Sequence, residues 1–180
     1  ISILAQGQMS TAFELADSEK REFVGRLVTD LTDRRDPLLL AQEFLGRLKK
    51  ERDLIKDSLK GQESPFEVDS EELADRREAH YASLFRKELL SYLDLLRVWY
   101  RDVLVFAETG LNERLWNADC AQAVAQLAER HDPADIQVKI DAVARAEMLL
   151  EHNVREERVF KELFFSLGER KMRSPKLLPR

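Results

Sequence analysis

Between Pro65 and Gly110 the chain contains neither proline nor glycine, and no other stretch constrains its fold as much. Those two residues ordinarily punctuate helices, one by locking the backbone and the other by freeing it. Asp69 or Ser70 can each cap the free amides of a helix start, so the spacing predicts one helix from there to just before Gly110. At ~1.5 Å per residue it spans roughly 55 Å, long enough to be the backbone of a domain. Its apolar positions are Leu73, His80 or Tyr81, Leu84, Phe85, Leu89, Leu93, Leu96, Trp99 or Tyr100, Val103, Leu104 and Ala107, and over 89–107 they occupy more than one face. A helix that is apolar on two sides needs two layers of neighbours, or a partner chain, to cover it.

The remainder of the chain reads as shorter helices of the same kind. Leu, Ala, Glu and Arg outweigh Val, Ile and Thr, and straight side chains lose little freedom in a helix. Ser10 is expected to cap a short helix after a turn at Gly7, and Ser18 a second helix with Phe23, Val24, Leu27, Val28 and Leu31 inward. Asp36-Pro37 and Asp132-Pro133 are paired start signals, an amide acceptor followed by a residue that loses nothing at the first helical position. The first opens a helix to about Lys60 with Leu40, Phe44, Leu48, Ile55 and Leu59 inward; the second opens one carrying Ile136, Ile140, Val143, Ala144 and Met148. Asn117 or Asp119 is expected to cap a helix through Val124, Leu127 and Ala128. Asn153 is expected to cap the last, with Val159, Phe160, Leu163, Phe164 and Leu167 inward and Gly168 as its stop. The fold class predicted is all-α, a bundle of about six to seven helices around one long central helix.

Charge is unevenly placed. Arg170, Lys171, Arg173, Lys176 and Arg180 face only Glu169 in residues 169–180, a local +4 that leaves −9 on the rest of a chain whose net charge is −5. An acidic body repels phosphate backbones, so only that basic tail suits nucleic acid. Cys120 is the single cysteine, which rules out an intrachain disulfide or a multi-cysteine zinc site and suits a reducing, cytoplasmic setting. No apolar run reaches membrane-spanning length. The chain opens on Ile1 in an apolar segment that enters mid-element, as a piece of a longer protein would.

Residues for chemistry are sparse. A phosphate-binding loop needs clustered glycines, and those at 7, 25, 46, 61, 110 and 168 are scattered. Carboxylate-bridged metal pairs in bundles use Glu-x-x-His, whereas His80, His131 and His152 follow Arg77, Ala128 and Leu149 at that spacing. His152 beside Glu151 and Glu156 reads as a helix-end histidine, Ser10-Thr11 as a cap, and Cys120 as a small packing residue. No catalytic residue, cofactor or metal is expected.

Trp99-Tyr100-Arg101-Asp102 stands out instead. An aromatic beside a charged pair halfway along a helix is costly to bury unless another surface satisfies the charges. Arg101 and Asp102 are either a local surface pair or face a partner, with Trp99 supplying the anchoring area that interfaces favour.

At these residues the chain resembles the C-terminal part of the delta-prime family of bacterial DNA polymerase III clamp-loader subunits. Three stretches carry the likeness: Leu4 to Leu15; Trp99-Tyr100-Arg101-Asp102-Val103-Leu104 followed by Asn117-Ala118-Asp119; and Ala146 to Leu150 followed by Asn153-Val154 and Leu163. Gln8 and Met9 replace the family's usual Ser and Pro, and Arg155 replaces a second Asn. Ser10 stands where ATP-hydrolysing sister subunits carry a nucleotide-sensing arginine.

The resemblance implies that residues 1–17 end an AAA+ lid, 18–168 form a helical collar domain for oligomerisation, and 169–180 are a basic flexible tail. Its implied work is non-catalytic: holding the loader ring together while the complex places a sliding clamp on primed DNA during replication. The implied partners are the gamma/tau and delta subunits, with the clamp and DNA reached indirectly and no membrane. Trp99, Tyr100, Arg101, Asp102, Asn117, Asp119 and Asn153 are its candidate interface or family-motif residues. Alternatives are the C-terminal region of a gamma/tau subunit or a free-standing helical adaptor that binds partner proteins. Alone, the fragment is expected to be monomeric or weakly self-associating.

Overall fold

A computed structural model describes residues 18–60 and 71–168, and the expectations for Ser10, the lid segment, the cap at Asp69 or Ser70 and the basic tail lie outside them. Within the described residues there are six α-helices and no strand: α1 (Ser18–Thr32), α2 (Pro37–Lys60), α3 (Glu71–Thr109), α4 (Ala121–Arg130), α5 (Pro133–Glu151) and α6 (Glu156–Gly168). Two single 3₁₀ turns, Asn112–Arg114 and Ala118–Cys120, lie between α3 and α4. The all-α bundle is as the sequence predicts.

At 39 residues α3 spans roughly 58 Å. Its C-terminal half is wrapped by α1, α2, α4 and α5 of the same chain, which supplies the two layers that its two apolar faces require. Leu89, Tyr92, Leu93, Leu95, Leu96, Val98, Trp99, Tyr100 and Val103 are all buried there. An aromatic knot adjoins this enclosed stretch at Tyr92. Phe44 of α2 packs against Phe160 and Phe164 of α6 at centroid distances of 4.6 and 5.3 Å and edge-on to Tyr92 at 5.1 Å.

Helix ends follow the sequence in part. Asp36 caps α2 as expected, its Oδ1 accepting the Leu38 N–H at 2.8 Å; at α5 Pro133 fills the first position, but the Asp132 side chain, expected to accept there, makes no cap bond. Asn153 does not cap α6. It sits at φ 57°, and the Asn153 and Val154 amides donate back to the Leu150 and Leu149 carbonyls at 3.1 and 3.0 Å. That pattern closes the C-terminus of α5 through a left-handed residue. Arg34, at φ 66°, closes α1 in the same way through Leu31 and Asp30. Asn tolerates this conformation because its short polar side chain adapts to it, so the residue that suggested a beginning marks an end.

The buried stripe of α5 also differs from expectation. Ile136 and Val143 are inward, but Ala144 and Met148 are exposed, and Lys139, Ala146 and Leu150 take the buried positions. A lysine broke the apolar reading; its Nζ donates to the Leu167 carbonyl at the end of α6, satisfying an orphan acceptor that the helix leaves there. No helix among the described residues is long and apolar enough to cross a membrane.

Candidate functional site

The Trp-Tyr-Arg-Asp stretch lies where α3 is most enclosed. Trp99 is 4% exposed, and its indole lies against Gly25 of α1 so closely that a Cβ built there would stand 2.7 Å from Cζ2. The absent side chain is what lets α1 approach. The indole N–H has no hydrogen-bond partner among the described residues. Tyr100 is also buried, and burial, with the Asp135 carboxylate, pushes its phenol well above the usual range.

Asp102 is 0% exposed. Its carboxylate accepts the Trp116 N–H at 3.1 Å, the Asn117 N–H at 2.7 Å, the Asn117 Nδ2 at 3.0 Å and Arg101 Nη1 at 2.6 Å. A buried carboxylate stripped of water is tolerable only with such a full set of donors. Arg101 is half-buried; the same Nη1 reaches the Arg114 carbonyl at 2.8 Å, and its guanidinium lies 4.2 Å from the Trp116 ring centre. The pair is therefore neither a free surface pair nor, at Asp102, open to a partner. It fixes residues 111–120, whose Leu115 is buried beside it.

Asn117 and Asp119 cap no helix; their side chains are engaged elsewhere. Asn117 is buried, offers its amide nitrogen to Asp102 and accepts Arg21 Nη2 of α1 on Oδ1 at 3.0 Å. The same Arg21 nitrogen meets Asp119 Oδ1 at 2.9 Å, and Asp119 is exposed. One chain of polar contacts thus runs Arg101–Asp102–Asn117–Arg21–Asp119 and ties α3, the connecting turns and α1 together. Asn153 stands apart from it, in the turn between α5 and α6.

Beside this network a cleft of about 260 Å³ opens between α1 and α4, lined by Arg21, Gly25, Trp99, Asp119 and Cys120 among others. Burial, and then the Asp119 carboxylate, push the Cys120 thiol up, the reverse of what an attacking thiolate needs. His152 is exposed, its Nδ1 2.8 Å from the Met148 carbonyl, and Glu156 is paired with Arg52. No group of three or more potential metal ligands occurs among the described residues.

Sequence reading missed a second buried polar cluster. His131 bridges Asp135 Oδ2 at 2.7 Å and Thr32 Oγ1 at 3.3 Å, joining the α4–α5 turn to the end of α1. The four-residue step from His131 to Asp135 was its one visible sign, and Thr32 lies 99 positions away.

No curated protein and no solved structure matches the chain. The family model for "DNA polymerase III, delta subunit, C terminal" matches residues 67–166, from just before α3 into the last turn of α6. That region contains both halves of the Asp102–Asn117 junction, and by this match the chain belongs to the DNA polymerase III delta C-terminal domain family, a non-catalytic part of the clamp loader.

Proposed function

We propose that residues 18–168 are the collar domain of a delta-prime subunit, which holds its place in the clamp-loader ring beside gamma/tau and delta while the assembly loads a sliding clamp on primed DNA. The observation that carries this reading is the bond between Asp102 and Asn117. The two halves of the motif shared with delta-prime sequences, aromatic-x-Arg-Asp and Asn-x-Asp, are 15 residues apart in sequence and joined in space. A likeness whose separated parts meet in the fold is more specific than either part alone. Ser10, at the place of the nucleotide-sensing arginine of ATP-hydrolysing relatives, favours delta-prime over gamma/tau.

On this reading the buried members of the motif, Trp99, Tyr100, Asp102 and Asn117, shape the collar from within. Arg101 and Asp119, at its surface, are the members able to meet a neighbouring subunit. The test is reconstitution of the parent polypeptide with gamma/tau, delta and delta-prime subunits of a bacterial loader, followed by native mass spectrometry. Entry into the ring in competition with delta-prime supports the assignment; competition with delta or gamma/tau, or no entry, overturns it.

A further inference from the structure

We propose that the groove bounded by the end of α2, the early turns of α3 and the α5–α6 turn is a docking site for a short acidic, apolar-bearing peptide segment of another protein. The groove encloses about 740 Å³ and is lined by Arg52 and Lys56 of α2, Tyr81, Phe85 and Arg86 of α3, and Arg155 of the turn, among others. It is distant from the Asp102 junction, and the inference does not rest on the delta-prime assignment.

Charge argues first. In a chain of net charge −5, four cations converge on this concavity against a single lining carboxylate, Glu156. Glu156 is committed to Arg52, which also stacks 4.3 Å from the Phe85 ring centre. Lys56, Arg86 and Arg155 form no ion pair among the described residues, although Lys56 stands 5.4 Å from the Tyr81 ring. Asp53 and Glu78 flank the site, both near enough to raise the Tyr81 phenol, for which burial is the larger cause. Three cations beyond the Arg52–Glu156 pair thus line the groove against two carboxylates at its flanks, a small and local surplus that suits a short segment.

The floor argues next. Leu89 and Leu150 are buried beneath it and Val154 is half-exposed, so an apolar side chain between the carboxylates has a seat. Asn153 is exposed and lines the groove, and its side-chain amide carries a donor and acceptor pair of the kind that peptide backbones use.

A nucleic-acid strand fits less well. Its charge continues with every phosphate, and beyond the patch it would meet Asp53, Glu78, Glu151 and Glu157. The rings offer bases little stacking surface, since Phe85 is buried under Arg52 and stacked 6.4 Å from Tyr81.

The test is fluorescence anisotropy on the whole chain, using a labelled peptide of Asp and Leu, a Lys and Leu peptide as control, and a single-stranded thymidine oligonucleotide. The Asp/Leu peptide should bind, weaken with salt, and lose about tenfold or more in affinity in the R86E/R155E variant. Both arginines lie outside the core, so an unchanged melting temperature shows that the variant is folded. Should that variant melt early, the R86Q/R155Q pair gives the same reading with a smaller loss. No peptide binding, equal binding to the folded variant, or tighter binding of the oligonucleotide overturns the proposal.

Discussion

Asp102 and Asn117 are joined twice, through the Asn117 backbone N–H at 2.7 Å and its side-chain amide at 3.0 Å, both on the same carboxylate oxygen. Removing the carboxylate strands two backbone amides and the Asn117 side chain in a dry site. Asp102→Ala is expected to cost about 3–5 kcal/mol, and Asn117→Ala about 1–3 kcal/mol. Urea denaturation measures both. Wild-type stability in Asp102→Ala, with ring assembly lost, would move the residue from folding to docking.

Gly25 and Trp99 define a close approach with the opposite sign from ordinary helix propensity. Alanine is worth about 1 kcal/mol over glycine inside a helix, but here its Cβ would meet the indole at 2.7 Å. Gly25→Ala should destabilise by about 1–3 kcal/mol. Trp99→Ala should cost about 3–5 kcal/mol. In the double variant the penalties should fall short of their sum, because the smaller residue makes room for the added methyl. A thermodynamic double-mutant cycle with additive terms would refute the contact.

Burial raises the phenols of both Tyr92 and Tyr100. Their folded values lie above the unfolded value of about 10. Their contribution is therefore fully present below pH about 10 and lost as pH rises through the folded values, since the unfolded chain releases these protons first. Melting temperatures taken upward from that pH should fall, and Tyr100→Phe should show a shallower fall than wild type. Parallel curves would show that Tyr100 has no part in it.

The two left-handed residues should respond unequally to glycine. Arg34 carries a long side chain at φ 66° and Asn153 a short polar one at φ 57°. Left-handed backbone costs most residues about 1–2 kcal/mol, with asparagine among the exceptions. Arg34→Gly should thus stabilise by about 0.5–1 kcal/mol after the entropy of the freer unfolded chain is set against it. Asn153→Gly should change little. Thermal melts of the two variants decide the point, and an equal response at both sites would contradict it.

Much of this architecture was legible in residue order alone. The segment without proline or glycine became α3, Asp36-Pro37 and Asp132-Pro133 opened α2 and α5, and the apolar spacing of α1 and α6 named their buried residues. What stayed hidden depends on distant partners. Asp102 reads as a charge until the Trp116 and Asn117 amides are placed against it, and Lys139 reads as surface until the Leu167 carbonyl meets it. Asn153 favours both a helix start and a left-handed stop, and only the backbone bonds to Leu149 and Leu150 separate the two.

The position of Asn117 downstream of Asp102 has a consequence for the nascent polypeptide. Chains emerge from the ribosome in order, so α1, α2 and most of α3 are available before the amides that neutralise the Asp102 carboxylate. Until those amides arrive, the Asp102 carboxylate lacks its donors from the chain, and water is the better host for it. The junction can therefore close only after residue 117 has emerged.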